Sequence, residues 1–144
     1  MIADVFPIVN GYRADFTATM AVSPEVTPNQ QRLDTALHEA MAAAEALLKP
    51  GTVAGDIYRA VHERLDAHGF AAHFPHHAGH GLGLDHPEAP YFVPLSEEVL
   101  LAGDVVTVEP GAYGDDFAGR IENIYLITES GFERLTHHQT RLLG

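Results

Sequence analysis

Four carboxylates and one imidazole, Asp4, Asp15, His80, Glu109 and Glu122, make an oxygen-rich donor set in a chain of 144 residues. Hard oxygen donors with a single histidine suit manganese, cobalt, iron or zinc. A thiolate site is excluded, because the chain has no cysteine. Brought to one point, the five groups would bind two divalent ions and activate a water between them.

Local sequence says how they could converge. Asn10-Gly11 tolerates the positive φ of a two-residue hairpin turn and separates the strand-like runs 2–9 and 12–22. That turn pairs Val9 with Tyr12, Phe6 with Asp15 and Asp4 with Thr17, so Asp4 and Asp15 become diagonal neighbours on one face. Pro7 cannot donate to a ladder and marks an outer position or a bulge. The second acid pair repeats the pattern. Residues 105–113 read as a buried strand and 119–128 as its partner, with turn material at 114–118. A hairpin centred between Asp115 and Asp116 sets Glu109 opposite Glu122. At an effective dielectric of about 20, such charges about 4 Å apart repel by about 4 kcal/mol. A cation or a shared proton would remove that penalty. His80 lies in His76-His77-Ala78-Gly79-His80-Gly81-Leu82-Gly83, where glycines permit the close backbone approach of a site floor.

Four stretches in this order resemble the pita-bread metallopeptidases, the group of methionine aminopeptidase, Xaa-Pro aminopeptidase, prolidase and the metal-free creatinase. They are Asp4 with residues 10–17, Gly79-His80-Gly81-Leu82-Gly83-Leu84, Thr107-Val108-Glu109-Pro110-Gly111, and Arg120-Ile121-Glu122-Asn123. Arg120 two before Glu122 and Tyr113 four after Glu109 are similar to the Xaa-Pro branch. The resemblance implies an α+β fold, a partial pita-bread architecture of curved antiparallel sheet with helices on its outer face. It implies two divalent metals, manganese first, with Asp15 and Glu122 bridging, Asp4 on one ion, and His80 with Glu109 on the other. It implies peptide hydrolysis by a metal-bridging hydroxide, on a peptide with proline at its second position. Glu109 would take the water's proton, His76 would lie near the substrate carbonyl, and Arg120 with Tyr113 would orient Asp4. The branch's further histidine normally follows the metal histidine by seven residues. Here position 87 is Pro, and His86 comes one residue early. The family's first half, with another substrate histidine, would precede this segment. Residues 1–144 are therefore expected to form one domain, an N-terminally truncated catalytic domain that exposes apolar sheet surface and pairs with another chain, such as a second copy. A metal-binding remnant without turnover and a small-amide hydrolase on the same scaffold stay open.

The remaining elements fit a helical backing. Thr27-Pro28 starts a helix with Leu33, Ala36, Leu37, Ala40, Ala44 and Leu47 at helical spacing, stopped by Lys49-Pro50-Gly51. Residues 52–68 form a second, with Ile57, Ala60, Val61 and Leu65 inward and Gly69 as cap. Residues 88–101, carrying Pro90 and Pro94, read as a loop over the mouth of the site, and the polar tail after Thr136 reads as solvated. Twenty acids against eight bases disfavour nucleic acid and anionic membrane as partners. No apolar stretch is long enough to cross a bilayer. Residues 1–4 lack a signal-peptide pattern, and the cysteine-free composition suits the cytoplasm.

Overall fold

The Asn10-Gly11 turn closes a hairpin in the computed structural model, which describes residues 1–142. Both turn residues have positive φ, 53° and 88°, as a type I′ turn requires. The hairpin comprises β1 (Ile2–Val5), β2 (Ile8–Val9), β3 (Tyr12–Arg13) and β4 (Phe16–Thr19). Val9 pairs with Tyr12 and Asp4 with Thr17, the expected register. The ladder lapses between Val5 and Ile8, around Pro7, whose ring nitrogen has no hydrogen to donate. There the Ala14 N–H bonds the Pro7 carbonyl at 2.9 Å. Phe6 and Asp15 face each other across this gap without forming a ladder pair.

Two helices follow. In α1 (Pro28–Glu45), Thr27 and Gln30 cap each other reciprocally, satisfying two amides the helix cannot. Leu33, Ala36, Leu37, Ala40, Met41 and Ala44 form its buried stripe. The helix ends before Lys49 in tighter turns, Leu47 N–H to Ala44 and Leu48 N–H to Glu45, which bury Leu48 beside Leu47. In α2 (Ala54–Ala67), Ile57, Val61 and Leu65 are fully buried.

The rest is strand. β5 (His80–Gly81), β6 (Glu88–Tyr91), β7 (Val105–Val108), β8 (Gly111–Tyr113), β9 (Ala118–Arg120), β10 (Asn123–Ile127) and β11 (Phe132–Arg134) complete the element order. A five-stranded sheet runs β11-β10-β7-β5-β6, with every described pairing antiparallel. The expected long hairpin is present in register, Gly111 opposite Arg120 and Asn123 opposite Val108, but it is cut at Glu109-Pro110 and Ile121-Glu122. Pro110 cannot donate at that point. Val106 and Val108 join the helices in one core, so the alternating Thr107 and Glu109 face the other side.

Two expectations fail. Residues 88–91 are an edge strand rather than loop, because Pro90 is tolerated on an edge while Phe92 N–H and Ala78 N–H lace the flanking backbone to Gly79 and Phe92. Residues 94–101 do not roof the site. They run to the start of α2, where Glu98 O accepts from Ala54 N–H at 2.8 Å and Leu100 is fully buried. The tail is only partly solvated: His137, Gln139 and Arg141 are exposed, while His138, Thr140 and Leu142 are half-buried. Thr136 bonds Asn123 and Ile124, His138 bonds Thr17, Thr140 meets His38, and Leu142 N–H bonds Asp34. Thr136 and His138 thereby serve the backbone of Ile124 and Thr17.

Gly79 anchors β5 against β7. Its φ is +154°, and a Cβ there would lie 2.1 Å from the Thr107 carbonyl oxygen. Gly79→Ala should therefore cost at least the upper end of the about 1–3 kcal/mol usual for overpacking, read as a lowered midpoint in urea. Exposed apolar side chains gather on the first hairpin: Val5, Phe6, Ile8, Val9 and Tyr12.

Candidate metal centre

The two breaks in the second hairpin pull the site together. With no ladder partner in their own hairpin, Glu109 N–H bonds the Ala78 carbonyl at 2.8 Å and Glu122 N–H bonds the Thr17 carbonyl at 3.0 Å. One acid is thereby fastened beside the strand of His80, the other beside the strand that follows Asp15. All five donors meet in consequence. Ligand atoms of Asp4, Asp15 and Glu122 lie within 4.8 Å of one another, as do those of His80, Glu109 and Glu122. Glu122 belongs to both groups. Asp15 reaches across as well, its Oδ2 lying 3.4 Å from His80 Nε2. Asp15, His80, Glu109 and Glu122 are each 5 % exposed or less, and Asp4 alone faces solvent.

The chemistry of this cluster is unfinished without a cation. Asp15 Oδ1, Glu109 Oε1 and Glu122 Oε1 are buried and have no hydrogen-bond partner among the described residues. Each such oxygen normally costs about 1–3 kcal/mol, more when charged. His80 Nδ1–H donates to the Gly81 carbonyl at 2.8 Å, which turns Nε2 toward the acids, where it hydrogen-bonds Asp15 through its proton and would offer its lone pair to a cation that displaced that proton. Orphaned carboxylate oxygens with an imidazole nitrogen fit hard divalent ions. Electrostatics point the same way. Burial first, then the charges of Glu109 and Asp15, push the Glu122 carboxyl up to about 9. Burial also works against a charged Asp15, but hydrogen bonds from His80 and His86 outweigh it and hold Asp15 below its ordinary value. The reciprocal bond raises His80 above its own, against its desolvation.

The flanking residues are also present. His86, one residue early, still enters, with Nε2 2.5 Å from Asp15 Oδ2 and its ring edge-on to His80 at 5.2 Å. Arg120, which forms an ion pair with Asp4, stands beside Tyr113. Burial raises the Tyr113 pKa, and the Tyr113 O–H donates to His76 Nε2 at 3.0 Å. His76 Nδ1–H in turn donates to the His77 carbonyl at 2.7 Å, and burial lowers the His76 pKa. Neutral His76 is thus fixed in one tautomer.

Three residues beyond the expected set hold the centre. The Thr17 hydroxyl sits 3.0 Å from Asp4 Oδ1 and 2.8 Å from Glu122 Oε2. Its place opposite Asp4 in the register was the available signal. His138 Nε2–H donates to the Thr17 carbonyl at 3.1 Å, a contact no local pattern announces. His77 Nδ1 lies 3.0 Å from Glu109 Oε1.

Comparison with known proteins agrees with this geometry. Residues 1–129 match the model of metallopeptidase family M24. A Xaa-Pro dipeptidase of Pyrococcus furiosus is 36% identical over 99% of this chain and 41% of its own length. The dipeptidase PepE of Mycobacterium ulcerans superposes with a TM-score of 0.92 at 32% identity, covering 99% of this chain and 38% of that one. An X-Pro aminopeptidase of Thermotoga maritima gives 0.91 at 27% identity, covering 99% and 41%. The chain thus spans about two fifths of the relatives it matches. Its architecture is the corresponding part of the pita-bread fold, and the chain belongs to metallopeptidase family M24.

Proposed function

We propose that this chain carries the metal centre of a Xaa-Pro-type peptidase, hydrolysing the bond before proline in dipeptides or short peptides. The observation that supports this reading is that Asp15, Glu109 and Glu122, all grouped with His80, each keep one buried oxygen without a hydrogen-bond partner among the described residues. Asp4, Asp15 and Glu122 would hold one divalent ion, and His80, Glu109 and Glu122 the other, with Asp15 shared. Manganese is the first choice for the donor set, with cobalt, zinc or iron as alternatives. When bound, the pair supplies Lewis acidity that makes water nucleophilic near neutral pH.

The protein's part follows from its contacts. Glu109 Oε1 accepts the water's proton and hands it toward the departing amine. Arg120 and the Thr17 hydroxyl hold Asp4 in place. His86 steadies Asp15, and neutral His76, backed by the Tyr113 hydroxyl, faces the substrate carbonyl. The named relatives, a Xaa-Pro dipeptidase and an X-Pro aminopeptidase, support a substrate with proline at the second position. The absence of cysteine suits work in the cytoplasm.

Because the chain spans about two fifths of those relatives, the second reading is a metal-binding unit whose turnover needs further chain. Manganese titration with assays on Xaa-Pro dipeptides and tripeptides separates the two. Two ions per chain with turnover is the expected result. Two ions without turnover leaves the second reading, and no ion uptake removes both. Glu109→Gln should reduce any turnover by about 10²- to 10⁴-fold.

A further inference from the structure

Among the described residues, His76, His77 and His86 stand at the centre outside the two proposed metal groups, and of these His77 alone has a buried ring nitrogen without a partner. Its Nδ1 is buried and lacks a hydrogen-bonded partner, and it lies 3.0 Å from Glu109 Oε1, which is buried and lacks one too. The ring cannot drift far. It stands edge-on to His80 at 5.3 Å and to His76 at 5.9 Å, while the His77 carbonyl is held by His76 Nδ1–H. The side chain as a whole is about one third exposed, so the buried nitrogen lies on its inner edge. A neutral imidazole has one donor nitrogen, and a carboxylate oxygen is an acceptor only. The two atoms are within reach but not aligned as they stand, and a small turn of the ring with the proton on Nδ1 would satisfy both.

Resting on the proposed function, we propose that His77 is a further positioning residue, whose Nδ1–H holds the Glu109 carboxylate in its ligating orientation. Carboxylates that bind metals are themselves held by hydrogen bonds, and loss of such a partner costs about 10- to 100-fold in metal affinity. The other acids already have such partners: Thr17 serves Asp4 and Glu122, and His86 serves Asp15. Among the described residues the nearest donor nitrogen to the inner oxygen of Glu109 is His77 Nδ1 at 3.0 Å, with His80 Nε2 farther off at 3.6 Å.

The test uses the full chain with manganese alone, by calorimetry and by the electron paramagnetic resonance of bound Mn²⁺. In His77→Leu, of similar bulk and without a donor, one of the two ions should bind about 10- to 100-fold more weakly. His77→Asn places an amide N–H near the position of Nδ1 and should restore affinity to within about threefold of the parent. A leucine variant that binds both ions like the parent overturns the proposal, as does an asparagine variant as weak as leucine. Loss of a third ion from the parent's stoichiometry also overturns it, since Nδ1 would then be a ligand. Failure of the parent itself to bind manganese would count instead against the proposed function.

Discussion

Glu122→Gln should abolish tight uptake of both ions while leaving the chain folded at neutral pH. Glu122 is shared by both donor groups, so its loss weakens two sites at once. An amide oxygen still ligates, but without the charge that offsets a divalent cation's dehydration. Retention of fold follows from the same burial that defines the site. With its carboxyl pushed up to about 9, metal-free Glu122 is protonated at pH 7, and glutamine replaces a neutral acid by a neutral amide of similar shape. The Thr17 hydroxyl can still donate to the remaining oxygen. Midpoints of the metal-free parent and variant should therefore agree within about 1 kcal/mol below pH 4.5, whereas at pH 7, where the parent must take up a proton to fold, the variant should be the more stable by roughly 3 kcal/mol. Manganese should raise the midpoint of the parent only. A variant that still binds two ions with parental affinity would remove Glu122 from its shared position.

Much of this arrangement could be read beforehand, for reasons that differ between elements. Asn10-Gly11 sets the first register because two residues of positive φ leave one way to close the turn. From there the meeting of Asp4 with Asp15 follows by counting. The turn centred between Asp115 and Asp116 gives the second register by counting too, although neither residue has positive φ. What counting could not reveal is the effect of the two ladder breaks. Proline at positions 7 and 110 removes donors locally, but only tertiary packing decides that Glu109 N–H turns to Ala78 and Glu122 N–H to Thr17. The strand at residues 88–91 was hidden by Pro90, whose cost depends on lying at an edge. The tail was hidden by its polarity, which usually signals solvent but here supplies partners to Thr17, Ile124 and His38. His86 is the sharpest instance. Spacing placed it one residue out of step, yet its Nε2 reaches Asp15, because a glycine-flanked loop can absorb a one-residue shift that a strand cannot.

The stabilisation that manganese confers should grow as pH rises from 6 to 9, opposite to the trend of the metal-free chain. Between its ordinary value near 4.5 and about 9, Glu122 carries a proton when folded that the unfolded chain has lost. The native state binds more protons, so metal-free stability falls as pH rises through that window. His80 adds the same sign. Its pKa is raised by Asp15, so its contribution is full below its ordinary value of 6.5 and disappears as pH climbs through the folded value. Asp15, held below its ordinary value, contributes fully above 3.8 and is flat from pH 6 upward. Ions must displace the protons of Glu122 and His80 before they bind. For Glu122 alone that displacement costs roughly 4 kcal/mol at pH 6 and roughly 1 kcal/mol at pH 8. Thermal midpoints measured at pH 6, 7 and 8, in chelator and at fixed free manganese, should diverge steadily. Glu122→Gln in chelator should lose most of the downward slope, His80 supplying the remainder. A manganese-induced shift that stays constant or shrinks with pH would mean that the protons now assigned to the centre are held elsewhere.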